Sequence, residues 1–268
     1  MPVSMRAMIN CYIRREDNKC CGTFAPMLSK LFYPFQLLWR AWFYAAVFIS
    51  ILLVFPFITL FSLNERLYPL FFSFARVWGY SVLLLTGFYP RVINRKYIDP
   101  RAKYIIIANH TSMVDIMLTY VAVPNTFKFV GKVELAKIPV FGYYYRRTNI
   151  LVDRSKLSSK RDVYFSARKA LSDNISVCIY PEGGVPEDRS VDLAPFKIGA
   201  FRLAIEEGVS VLPIAFPNNK RHHPYDFLMG GMPGMLRAHI MPPISPKGKN
   251  EKELRDECYA VLHAHLLS

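Results

Sequence analysis

The chain has 268 residues, is 52% hydrophobic and 15% aromatic, and carries a formal net charge of +14. That length holds one large domain, or one domain with an appendage. A mean hydropathy of +0.17 is oily for a soluble protein but too polar for a multi-span transporter, and the positive balance favours anionic partners without choosing among nucleic acid, lipid and acidic protein.

The amino-terminal segment, residues 1–30, is basic: Arg6, Arg14, Arg15, Lys19 and Lys30, with Arg40 just beyond, face only Glu16 and Asp17. Two apolar runs follow. Ala41 to Asn64 holds no charged side chain, and Leu67 to Pro90 holds one, Arg76. Each is long enough to cross a bilayer, and the short linker "SLNER" makes them a helical hairpin over residues 31–90. Arg76 and Pro56 argue against two clean spans, so the hairpin reads as a membrane anchor, spanning or re-entrant in one leaflet. A buried core hairpin is disfavoured, because little polar residue remains to form an outer face. Positive flanks stay cytoplasmic, which puts the rest of the chain on the cytoplasmic face of the cytoplasmic membrane. No small-residue cleavage site follows the apolar segment, against a cleaved signal peptide. Five cysteines with no C-x-x-C pair fit a reducing compartment and no metal site.

Residues 91–268 change pattern. Strand candidates are "YIIIAN", "TFKFVGK", "NILVDR", "SVCIYPE", "VSVLPIAF" and a stretch near "RAHIMPPI". Helix candidates are Ser112 to Val123, Leu157 to Ser172, Phe196 to Glu207 with Gly208 as its stop, and Glu251 to Leu267. This alternation predicts an α/β fold with a mostly parallel central sheet flanked by helices, following the membrane-associated hairpin.

The stretch "YIIIANHTSMVDIMLT" places His110 and Asp115 where a strand hands over to a helix. With His110 in the turn and Asp115 in the first helical turn, the carboxylate can reach one ring nitrogen, fix the tautomer and leave the other nitrogen as a base. The same letters have a plainer reading: "SMVD" is a capping-box pattern with Ser112 as N-cap, and His110 can be an ordinary loop histidine. No G-x-S-x-G elbow and no glycine-rich nucleotide loop is present. A base without a protein nucleophile suits a substrate that brings its own hydroxyl.

"NHTSMVD", "NILVDR", "YPEGG" and "VLPIAF" stand in the order found in the glycerolipid acyltransferases. From about Tyr89 onward the chain resembles the bacterial 1-acyl-glycerol-3-phosphate O-acyltransferase family, including "GKVELAKIPVFG" and "FKIGAFRLA", and the two-helix membrane element is similar to that of family members. The resemblance implies a membrane O-acyltransferase that moves a fatty acyl group from an acyl thioester, on acyl carrier protein or coenzyme A, to the free hydroxyl of lysophosphatidic acid, giving phosphatidic acid without other cofactor. It implies His110 as general base, Asp115 as its orienting partner and Lys132 beside the oxyanion. Arg154, Glu182, Gly183 and Gly184 would take the acceptor. Where the family continues P-E-G with Thr-Arg, this chain reads "PEGGVPEDRS", with Val185 in the arginine's place and Arg189 nearby. That departure keeps a lyso-aminolipid open as alternative acceptor. A non-enzymatic basic membrane- or nucleic-acid-binding protein would interleave basic and aromatic residues in one patch. Here the aromatics crowd the uncharged hairpin, so no nucleic-acid partner is expected.

Overall fold

The computed structural model describes residues 24–62, 64–153, 157–186 and 191–267. The charge-free stretch becomes a single helix, α1 (Phe24–Ser62), continuous through Pro34 and Pro56. Its 39 residues make it about 58 Å long at 1.5 Å per residue. Helix α2 (Tyr68–Leu85) runs back along it. The Trp42 indole donates to Leu85 O, that of Trp78 to Ser50 Oγ, and Phe57 stacks on Phe74. Both helices are long and apolar enough to cross a membrane by length and composition.

Their surroundings differ. Helix α2 buries a stripe of Tyr68, Phe71, Phe72, Ala75, Gly79, Val82 and Leu83, spaced three or four apart as one helix face requires. That stripe packs on α3 (Val114–Ala122). A Cβ on Gly79 would stand 3.3 Å from Met117 O, so the glycine lets the two helices close. Arg76 completes the join. Its guanidinium donates to the carbonyls of Tyr120, Val123 and Pro124, satisfying the open C-terminal end of α3. The charge that weighed against a lipid-crossing α2 is thus a helix cap turned toward the domain. Helix α1 instead leaves Phe35, Leu38, Phe48, Leu53, Phe57 and Leu60 exposed. Arg40, grouped by sequence with the basic flank, is fully buried and donates to Pro224 O and Gly230 O.

Seven strands form the sheet: β1 (Phe88–Ile93), β2 (Ile105–Ala108), β3 (Phe127–Lys132), β4 (Ile150–Val152), β5 (Ser176–Ile179), β6 (Val211–Ala215) and β7 (Gly234–Ile240), in the order β1-β7-β6-β2-β5-β3-β4. Pairing from β6 through β2, β5 and β3 to β4 is parallel throughout; β7 is antiparallel to β6, and β1 is parallel to β7. The expected mostly parallel α/β sheet is what the chain forms. Strand β2 shows why its sequence is apolar without alternation. Ile106 and Ala108 face a core shared with α1, α2 and α3, while Ile105 and Ile107 face a core made with α5 (Leu157–Ser172), α6 (Gly199–Glu207) and α8 (Glu251–Leu267). A parallel strand covered on both faces has no polar side.

Some boundaries move. The first strand, β1, begins at Phe88, inside the run read as the end of the hairpin. Thr86 and Gly87 close α2, with Gly87 at φ 80°. Helix α4 (Phe141–Thr148) and the short α7 (Asn219–His222) were not anticipated. Helix α6 starts at Gly199 rather than Phe196 and ends at Gly208 in the left-handed region, φ 61°, as a C-terminal glycine should.

Candidate active site

Because β2, β3, β4, β5 and β6 share one direction, their carboxyl ends lie on one edge of the sheet. The segments leaving that edge hold His110 after β2, Lys132 at the end of β3, Glu182 after β5 and Asn219 after β6. Open α/β sheets gather ligands at this edge. Arg154 follows β4 in sequence but lies, like Arg189, outside the described residues.

His110 and Asp115 meet. The imidazole Nδ1 is 2.9 Å from Asp115 Oδ2. The same oxygen accepts the backbone N–H groups of Thr111 (2.8 Å) and Ser112 (2.9 Å). Asp115 thus reaches back to the Ser112 N–H much as a capping box does, although the helix begins at Val114 with Met113 rather than Ser112 at its N-cap, and it is also the histidine's partner. A carboxylate on Nδ1 leaves Nε2 as the basic nitrogen, and among the described residues Nε2 has no hydrogen-bond partner. Asp115 is fully buried while the His110 side chain is partly open.

Four further groups hold this pair. Asn219 Nδ2 donates to Asp115 Oδ1 at 2.7 Å, and both residues are fully buried. Tyr180 stacks on the imidazole, ring centres 4.1 Å apart and 17° from parallel. Its hydroxyl is 3.2 Å from Thr119 Oγ1, which donates in turn to Asp115 O. Glu182 Oε1 accepts the His110 backbone N–H at 2.7 Å, and Oε2 accepts that of Ala194 at 2.8 Å. Burial pushes the Glu182 carboxyl up to about 7, against the pull of those two N–H groups. Both oxygens of the residue expected to hold the acceptor are thus engaged by backbone N–H groups, one of them in the histidine turn.

Beside Glu182, Gly183 and Gly184 take positive φ, 82° and 155°. At Gly183 a Cβ would also lie 2.2 Å from Lys197 Nζ, the far end of a flexible side chain. Lys197 therefore lays its ammonium across the turn that lacks an arginine at Val185. Lys132 is exposed at the sheet edge.

Sequence reasoning missed Asn219, Tyr180, Thr119 and Lys197. Two signals were available. Asn219 follows the carboxyl end of a strand on the active edge, in "FPNNK", and Tyr180 directly precedes the "PEGG" block. Thr119 and Lys197 act across elements and give no local sign.

A family model described as "Acyltransferase" matches residues 90–217. The 1-acyl-sn-glycerol-3-phosphate acyltransferase of Haemophilus influenzae is 34% identical over 158 residues, 58% of this chain and 63% of that protein. The protein of the same name from Salmonella typhimurium is 32% identical over 168 residues, 59% of this chain and 64% of that one. The chain thus matches just under two thirds of the length of these two relatives. The crystal structure of the 1-acyl-sn-glycerophosphate (LPA) acyltransferase PlsC from Thermotoga maritima superposes with a TM-score of 0.73 at 24% identity, covering 89% of this chain and 96% of that one; it shares the fold. Over residues 90–217, a segment that holds both the histidine turn and the glycine turn, the chain thus resembles the acyltransferase family.

Proposed function

We propose that the protein is a membrane O-acyltransferase that transfers a fatty acyl group from an acyl thioester to the free hydroxyl of 1-acyl-glycerol-3-phosphate, giving phosphatidic acid. The observation that carries this reading is the His110–Asp115 pair at the sheet edge, whose Nε2 has no hydrogen-bond partner among the described residues. His110 Nε2 takes the acceptor's hydroxyl proton as the oxygen attacks the thioester carbonyl. The C–O bond forms, the C–S bond breaks, and the proton passes from the imidazolium to the departing thiolate. Asp115 stabilises the imidazolium, the Tyr180 ring keeps it in plane, and Lys132 is the cation for the oxyanion.

The acceptor's phosphate goes to the Gly183–Gly184 turn and Arg154, with Lys197 adding the charge that Val185 does not supply. The relatives' names support this acceptor, and so does the +14 balance. Acyl carrier protein or coenzyme A brings the acyl group. The two apolar helices hold the enzyme on the cytoplasmic membrane with the site on its cytoplasmic face. Val185 favours one second reading, in which the acceptor is a lyso-aminolipid and the chemistry is unchanged. Acyl transfer by the purified protein to a panel of lyso-acceptors at equal concentration tests the assignment. Preference for a phosphate-free acceptor selects the second reading, and no transfer to any acceptor overturns both.

A further inference from the structure

We propose that the turn at residues 218–220 is a bracket between the two halves of the site. Asn219 is a positioning residue that holds Asp115 for the base. Lys220, next in the chain, is a positioning residue that holds residues 191–197 against the acceptor's glycine turn. This deepens the acyl-transfer reading above and rests on it.

The need on the Asp115 side is rotational. Three donors meet Oδ2, from His110 Nδ1 and the N–H groups of Thr111 and Ser112, whereas Oδ1 is met only by Asn219 Nδ2 among the described residues. Both residues are fully buried, so bulk water offers no substitute. Removing that bond leaves a buried carboxylate oxygen unmet and loosens the one torsion, χ2, that decides whether Oδ2 faces the imidazole. Asn219 is itself well anchored. Its neighbour Asn218 donates to Met235 O and accepts the Arg237 N–H on β7, and Asn109, just before His110, exchanges two hydrogen bonds with the Phe216 backbone. Just past α7 the Ser112 hydroxyl donates to His223 O, and the His223 ring lies among Trp39, Phe43, Tyr44 and Phe88. The histidine turn is therefore gripped on both sides of His110 by one stretch of chain leaving β6.

Successive residues of a helix point about 100° apart, so the residue after Asn219 serves a different neighbour. Lys220 Nζ donates to Val191 O at 3.0 Å and to Asp192 Oδ1 at 2.9 Å. From there the chain runs to Ala194, whose N–H goes to Glu182, and to Lys197, whose N–H goes to Pro181 O at 2.9 Å and whose ammonium lies over Gly183. A helix of four residues thus touches the base's partner through one side chain and the acceptor segment through the next.

Steady-state transfer by the full chain in detergent, from an acyl-coenzyme A to lysophosphatidic acid (or to a lyso-aminolipid, if the native chain prefers it), separates the two arms, with a melting curve for every variant. Asn219→Ala should lower kcat by about 10- to 100-fold, the range of a hydrogen bond to a charged group, and leave KM for the acceptor near its native value. In an Asp115→Ala background the same change should slow transfer less than about twofold, because an effect exerted through Asp115 is not added once Asp115 is gone. Should Asn219→Ala not melt cooperatively, Asn219→Ser, whose hydroxyl is one bond too short to reach Asp115, takes its place. Lys220→Ala should raise KM for the acceptor about two- to fivefold, the range of a partly exposed ion pair, with kcat and KM for the thioester unchanged, and Lys220→Arg should undo most of it. Native kcat in the Asn219 variant, or a loss of the same size in both backgrounds, overturns the proposal. So does an acceptor KM that Lys220→Ala leaves unchanged, or raises no more than that of the thioester. Either result, with transfer by the native chain intact, leaves the acyl-transfer reading standing; no transfer by the native chain to either acceptor removes that reading and the proposal with it.

Discussion

Replacing Asp115 by asparagine separates the two jobs of its carboxylate. In Asp115→Asn the amide oxygen can stay where Oδ2 is, still accepting the N–H groups of Thr111 and Ser112 and the proton on His110 Nδ1. The new NH₂ then meets Asn219 Nδ2, which sits 2.7 Å from Asp115 Oδ1. Asn219 can absorb this by turning its own amide over, because its Oδ1 is buried without a partner among the described residues. Every bond of the cap survives and only the negative charge is lost. A hydrogen bond to a charged group is worth about 1.5–3 kcal/mol, and each 1.36 kcal/mol is tenfold in rate. Losing the imidazolium's counter-charge should therefore lower kcat by about 10- to 100-fold, with the thermal midpoint little changed. The assay is steady-state acyl transfer beside a melting curve in the same detergent. Full rate in Asp115→Asn would reduce Asp115 to a helix cap, and a rate loss that merely follows a lower melting point would show the same.

Other outcomes follow from the same geometry. His110→Ala should cost about 10²–10⁴ in rate while the protein still melts cooperatively and stays on membranes after a high-salt wash, which screens charge but not apolar insertion. Glu182 is an acid whose folded value, about 7, lies above its ordinary 4.5. The folded state thus binds the extra proton between those values, so this group's contribution to stability falls as pH rises from about 4.5 to 7; Glu182→Gln should flatten that part of a stability-versus-pH curve, and an unchanged slope counts against it. Burial pushes His223 down to about 3 and leaves its Nε2 unpaired inside an aromatic box, so His223→Phe should keep or raise the melting temperature, since an unmet buried group costs about 1–3 kcal/mol. Lys197→Ala should raise KM for lysophosphatidic acid far more than KM for the thioester, and adding Val185→Arg should recover much of the loss; failure of that recovery would place the phosphate elsewhere.

The strand and helix alternation after Pro90 was legible because each element has its own period and its own stop, as with Leu157–Ser172 and Gly208. Strand β1 was not, since "FYPRVI" follows an unbroken apolar helix and only the turn at Gly87 separates them. Its place at the sheet edge, and the reversal between β6 and β7, are set by long-range pairing that no local pattern records. The His110–Asp115 pair was readable from spacing, but the choice between cap and partner was not, because one oxygen performs both roles through donors adjacent in the chain. Asn219 reaches Asp115 from 104 residues away, and Tyr180 reaches Thr119 from 61. Arg76 and Arg40 show the same limit from the other side. Arg76 reads as a charge misplaced among apolar residues and Arg40 as part of the basic flank, yet both are donors whose carbonyl partners lie at least 44 residues on.

The central claim is tested most directly by the product itself. Purified protein is given a labelled acyl thioester with lysophosphatidic acid, the lipid product is separated, and the reaction is repeated with His110→Ala. The account predicts labelled phosphatidic acid from the native chain and about 10²–10⁴ less from the variant. Phosphatidic acid formed equally by both would contradict it.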